Sequence, residues 1–233
     1  MKFLEQANFN WMELLNFGEQ PFRAKLIPAK VYKDLDRYRN DALGLSHYVR
    51  KWRTNIRWHA QKSKSKLYET HVAVGGEYDP IDRKIQLQIH TDKFDQFKFT
   101  DITWTRFKYK ILQVTMHELI HFMQYDRRGD QWSNYVVPYK KVGKDKIDEE
   151  RRYLSEFDEI QAYAHCVLLD FKVYRPNMDT EVLLSRAKTH RDSPTLNYFL
   201  KTFNYDYRNN HAIPKIMQQV VKWDKKYRLI NSQ

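Results

Sequence analysis

Two stretches of this chain alternate with a period of two, and two others repeat with the period of a helix. Leu67 to Val74 alternates apolar and polar residues, and Lys84-Ile85-Gln86-Leu87-Gln88-Ile89-His90 does so strictly. Both predict strands, with Ile85, Leu87 and Ile89 turned inward and Gln86, Gln88 and His90 outward. Gly75 to Pro80 between them reads as the turn of a β-hairpin. From Trp104 the period lengthens. Ile111, Val114 or Thr115, and Glu118 recur at helical spacing, as do Leu112, Met116, Leu119 and Met123. No Pro or Gly interrupts Trp104 to Arg128, and Gly129 is a fitting stop. A second helix is predicted over Ser155 to Phe171, where Ile160, Ala164 and Val167 or Leu168 form an apolar stripe between Phe157 and Phe171. Ser155 suits its N-cap, with Asp158 in the capping-box position.

The flanks are less regular. Residues 1–27 are aromatic and irregular. Ala29 to Ala42 reads as a helix after Pro28, and a further helical stretch is expected from His47 to Ala60. Gln61 to Lys66 is a Lys/Ser-rich connector. Gly129 to Tyr153 reads as a long charged loop, a length that implies a functional or mobile segment such as a lid. Beyond Pro176, helices are expected at Asp179 to Arg191, Thr195 to Phe203 and Pro214 to Tyr227. The pattern predicts an α+β fold: a small antiparallel sheet or hairpin packed on a pair of helices, followed by a helical C-terminal part. Residues 1–66, 67–175 and 176–233 form its successive regions, expected to make one structural unit.

Five residues of the long helix carry chemistry. His117-Glu118-Leu119-Ile120-His121 is an HExxH motif. Positions i and i+4 share a helix face, so both imidazoles reach one metal ion, and Glu118 beside them can take a proton from water. A shuffled chain with nine His contains some HExxH in roughly a few per cent of trials, so the helical context matters as much as the letters. Two His flanking a Glu on an otherwise apolar face are costly to bury without a purpose. Catalytic zinc takes three protein ligands. An HExxHxxGxxH site is excluded, because Gln124 and Arg127 replace the Gly and the third His. The third ligand must come from elsewhere, and Glu156 and Glu159, one turn apart on the second helix, compete for it.

HELIH followed by Tyr153-Leu154-Ser155 and Glu159-Ile160-Gln161-Ala162-Tyr163-Ala164 resembles the small zinc metallopeptidases encoded by tailed bacteriophages. More distantly it is similar to the glutamate-zincin pattern of HExxH plus ExxA(D/N), over about residues 66–171. The resemblance implies a zinc-dependent peptide-bond hydrolase with Zn²⁺ held by His117, His121 and Glu159, with Glu156 the alternative ligand and Glu118 the general base. It departs at Tyr163, where the wider families carry Asp or Asn. A carboxylate that orients a ligand His must then be sought in Asp158 or Glu156, or be replaced by a backbone carbonyl. Candidates for an oxyanion donor are Tyr163, His165, Tyr153, His190 and His211.

Composition bounds the rest. The 233 residues suffice for one domain with a sizeable core. No run approaches 18 apolar residues, so no membrane segment is expected, and Met1 to Asn8 has no sustained apolar run of the signal-peptide type. The single Cys166 reads as a core residue with no disulfide partner. A cytoplasmic protein is expected: host cytoplasm, or the virion, for a phage product. The net charge of +12 is spread along the chain, densest where aromatic and basic residues interleave from Tyr48 to Lys66. It admits weak nucleic-acid contact as well as a plain solvated surface, and no nucleic-acid-binding motif is present. The expected partner is a peptide or protein substrate; the sequence sets no oligomeric state. The rival reading is a basic phage protein with a structural or degenerate zinc site, acting as a nucleic-acid-associated or virion component.

Overall fold

A computed structural model of the chain describes residues 34–50, 54–59, 72–91, 99–141, 145–175, 177–187 and 192–231. Within these the fold is α+β, with a small three-stranded sheet and a helical C-terminal part. Two compact units are distinguished. The described residues up to Met123 form one, and those from Gln124 form the other, the division falling inside a single continuous helix.

In the first unit a 3-10 turn, Leu35–Tyr38, leads into α1, Ala42–Arg50. The expected helix over Ala29 to Ala42 is corrected where it is described: Asn40 takes a left-handed φ of 63° and breaks the chain. Asp41 then starts a new helix, its carbonyl accepting from Leu45 N at 3.0 Å and its carboxylate from Gly44 N at 2.8 Å. The helix expected over His47 to Ala60 is corrected too. It stops at Arg50, and Thr54–His59 is a strand, β1. β2 is Val72–Asp79 and β3 is Lys84–Thr91. Their antiparallel hairpin runs from Val72↔Thr91 to Asp79↔Lys84. β1 joins β3 in parallel, from Thr54↔Ile85 to His59↔His90, so β3 is central in the order β1-β3-β2. Ile85, Leu87 and Ile89 are buried, as their alternation predicts.

The turn placed at Gly75 to Pro80 moves to residues 80–83, where Arg83 supplies a positive φ of 49°. Gly75 and Gly76 instead belong to β2. Its inward residues Val74, Gly76 and Tyr78 alternate with outward ones. Tyr78 meets Phe122 edge-on, with ring centroids 5.5 Å apart. Phe122 lies on α2, Asp101–Arg127, the long helix predicted from Trp104. Thr100 caps its start, its hydroxyl accepting from Thr103 N at 3.2 Å, and Gly129 ends the turn beyond it with a φ of 62°.

The second unit is helical: α3, Asp145–Ser155; α4, Phe157–Tyr174; α5, Thr180–Ser185; α6, Pro194–Thr202; and α7, Ala212–Asn231. α4 is its centre, with α3, α5, α6 and α7 all packed against it. Two expectations change here. The long loop is a loop only to residue 141, and Asp145 onward is helix. Ser155 ends α3 instead of capping α4, whose N-cap is Glu156 with no side-chain cap. A backbone strap does that work: Phe157 N donates to Tyr135 O at 3.0 Å, and Val137 N to Ser155 O at 2.8 Å. His211 N donates to Pro138 O at 3.1 Å, so the segment held for a lid is pinned at both sides. α5 ends at Ser185, earlier than expected, and His190 lies outside the described residues. Asp170, buried in α4, holds the start of α6 by accepting from Ser193 Oγ at 2.7 Å and Thr195 N at 3.0 Å.

Candidate metal centre

The sequence of α2 divides its surface into two working stripes. Val114, Glu118 and Phe122 follow at i, i+4 and i+8 and face β2. His117 and His121 stand on the neighbouring stripe, which continues through Gln124 to Arg128 in the terminal turn. The two imidazoles turn toward each other, with Nε2 atoms 3.1 Å apart and rings at 76°. Two zinc-bound nitrogens in a tetrahedron stand roughly 3.3 Å apart, given bonds of about 2.0–2.1 Å. The pair is therefore spaced as ligands of one ion are.

Glu159, in the first turn of α4, completes the group. Ligand-capable atoms of His117, His121 and Glu159 all lie within 4.8 Å of one another, close enough to hold one metal ion. His117, Glu118, His121 and Glu159 expose 8, 5, 5 and 8 % of their surfaces. Two imidazoles and a carboxylate, buried together, form a donor set that suits a divalent transition metal. Glu156, the competing carboxylate, belongs to no such group among the described residues and sits in a β-bridge with Val136.

Glu159 is held from α2 through its neighbour. Arg128 donates to both oxygens of the buried Asp158 carboxylate, each at 2.6 Å, and Ser133 N donates to one of them at 3.3 Å. Gln124 Nε2 donates to Asp158 O at 3.1 Å and to Gln161 Oε1 at 2.9 Å. Asp158, the residue before Glu159, is thus held at its carbonyl by Gln124 and at its carboxylate by Arg128. Asp158, considered from the sequence as an orienter of a ligand His, is engaged by Arg128 instead. From the sequence, Gln124 served only to exclude the HExxHxxGxxH pattern, as the residue at its Gly position, and Arg128 was not singled out. The available signal was their spacing, three and seven residues beyond His121 on the same stripe.

The oxyanion candidates separate. Tyr163 lies one turn after Glu159, about 40° round the helix. Burial and then the nearby Glu159 charge raise its phenol above the usual range, while a hydrogen bond from Tyr153 opposes this. Its ring also packs against Tyr198 and Phe199, with centroids 6.4 Å away in each case. His165 is about 120° off the Glu159 face. It is buried edge-on against Trp223 at 5.1 Å, a core position. Tyr153 is partly exposed and meets Tyr163 edge-on at 6.4 Å. His211 is exposed beside a groove of about 330 Å³ lined by Tyr135, Pro138, Pro214 and Lys215.

No protein-family model, no curated protein and no solved structure matches this chain.

Proposed function

We propose that this protein is a zinc-dependent metallopeptidase of the kind that HELIH with its YLS and AYA flanks resembles. The observation that carries the reading is the buried His117, His121 and Glu159 group, with Glu118 on the same helix turn. His117 Nε2, His121 Nε2 and a Glu159 oxygen would hold the zinc, whose chemistry when bound is Lewis acidity toward a carbonyl and toward water. Glu118 takes a proton from the attacking water and passes it to the leaving amine, a role for a carboxylate held beside the ligands. Tyr163, kept protonated, is the donor offered to the oxygen that gains charge.

The test is Glu118→Gln. The variant should keep stoichiometric zinc and lose turnover of a general protein substrate such as casein by at least about 100-fold, in line with general-base contributions of 10²–10⁴. Undiminished hydrolysis by that variant sinks the mechanism. The competing reading, a basic protein that associates with nucleic acid, draws on the net charge of +12. It predicts nucleic-acid binding that falls steeply with salt and survives Glu118→Gln.

A further inference from the structure

The two adjacent glycines of β2 stand in opposite surroundings. A Cβ on Gly75 would meet nothing within 4 Å. A Cβ on Gly76 would stand 2.5 Å from Val114 Cγ1, 3.1 Å from Glu118 Cγ and 3.2 Å from Glu118 Oε1. Neither glycine has a φ that requires glycine. Strand propensity argues against glycine at both positions, since it loses entropy and packs nothing. At Gly76 the missing side chain has specific counterparts: its place is closed by Val114 Cγ1 and lined by the side chain of Glu118. Tyr78 on Phe122, two residues along the same inward face, holds the strand in this register against α2.

From this we infer that Gly76 is a positioning residue: its hydrogen face forms the floor on which the Glu118 carboxylate rests. The inference rests on the peptidase reading for its kinetic consequence, but not for its geometry. Glu118 has three rotatable side-chain bonds, and a helix alone does not choose among its rotamers. The strand narrows that choice by setting bare backbone against the carboxylate, with Val114 alongside. A Cβ at residue 76 would overlap Val114 and press the Glu118 side chain aside by a few tenths of an ångström. The two histidines lie on the next stripe of α2 and Glu159 lies on α4, outside this contact. Displacing Glu118 should therefore reduce turnover without loosening the metal.

The experiment compares Gly75→Ala, Gly76→Ala and Gly76→Ala with Val114→Ala, each zinc-loaded, on fluorescein-labelled casein. Gly75→Ala should match wild type. Gly76→Ala should keep zinc affinity and KM within about threefold and lose about 3–30-fold in kcat, less than the roughly 100-fold that a misplacement of 1 Å costs. The double variant removes the closest clash and guards against a folding defect; measured against Val114→Ala alone, it should still lose at least about 3-fold in kcat. Glu118→Asp has a side chain one methylene shorter, so adding Gly76→Ala to it should cost less than adding it to wild type. A Gly76→Ala, Val114→Ala variant with the kcat of Val114→Ala overturns the inference, as does an equal loss from Gly76→Ala in the wild-type and Glu118→Asp backgrounds.

A readout free of turnover separates this from failure of the peptidase reading. The side-chain ¹³C resonances of Glu118 should shift in Gly76→Ala and stay in place in Gly75→Ala. Unmoved resonances in Gly76→Ala overturn the positioning role even if the enzyme is active. Wild-type turnover in Glu118→Gln overturns the peptidase reading while leaving the contact intact.

Discussion

Glu159 and Glu156 lie three positions apart, and the sequence offers each as a ligand. Their environments part them: one is buried in the three-residue group, the other caps α4 in a bridge with Val136. Glu159→Ala should weaken zinc binding by more than about 100-fold, beyond the 10–100-fold typical of residues behind the ligands. Glu156→Ala should stay within a few-fold, as measured by competition with a chromogenic chelator. Loss of zinc only in the Glu156 variant would reverse the assignment. Lys226 gives a prediction in pH. Burial, and then the charge of Arg127, lowers its ammonium from 10.5 to about 8. Its folded pKa lies below its unfolded one, so the charged form is a penalty on the native state. The penalty is complete below about pH 8 and is relieved as pH rises toward 10.5. Lys226→Met should raise the melting temperature at pH 7, with the gain shrinking above pH 8. A gain constant from pH 7 to 10.5 would contradict the assignment. At this scale HExxH was fully legible, because its chemistry is written in consecutive letters. The role of Gly76 was not, because a glycine pair reads as a turn until the helix opposite it is known.

Among elements, the junction of α2 and α4 matters most for the metal group. Arg128 places two donors on Asp158, one residue before Glu159, and Gln124 fixes the carbonyl of the same residue. Lys cannot reproduce a two-pronged grip on a carboxylate. Arg128→Lys should weaken zinc binding by about 10–100-fold. Asp158→Asn should cost about 1–3 kcal/mol in a denaturant titration; the estimate stays modest because 31 % of the Arg128 side chain remains exposed. Zinc affinity unchanged in both variants would remove the clamp from the account. The long helices and the hairpin were legible because their periods persist for several turns or pairs. β1 was not. Thr54, Ile56 and Trp58 alternate with Asn55, Arg57 and His59, yet this strand follows α1 after three residues and carries polar groups outward. α3 was missed for a different reason. Asp145-Lys146-Ile147-Asp148-Glu149-Glu150-Arg151-Arg152 shows almost no apolar stripe. Beside the buried Leu154, one of its buried residues is charged: Arg151 donates through Nε to Thr202 O at 2.8 Å and reaches Asp148 at 3.9 Å.

For the molecule as a whole, a metal that binds only the native state adds stability by mass action. At free zinc a hundredfold above Kd the gain is about 2.7 kcal/mol. In a chain of 233 residues that corresponds to about 5–11 °C in melting temperature. Chelation should remove that increment, and Glu159→Ala should already lack it. A melting temperature indifferent to chelator would argue against a metal in the folded protein. The α+β class with a helical C-terminal part was legible throughout, since it follows from the order of the two periods. No helix among the described residues is long and apolar enough to cross a membrane.

The strap between the ligand helices bears on time as well as shape. Val137 N and Phe157 N are tied in backbone bonds to Ser155 and Tyr135, and His211 N is tied to Pro138. Amides bonded in this way exchange with deuterium only when their partners separate. Those of Val137 and Phe157 should exchange together and on the schedule of α4, not on that of an open surface loop. A stretch so secured opens only together with the helix starts that hold it. If the proposed peptidase activity is confirmed by experiment, the pace of turnover should owe nothing to movement of this strap, and hydrogen exchange at Val137 and Phe157 should be the same with and without a peptide substrate.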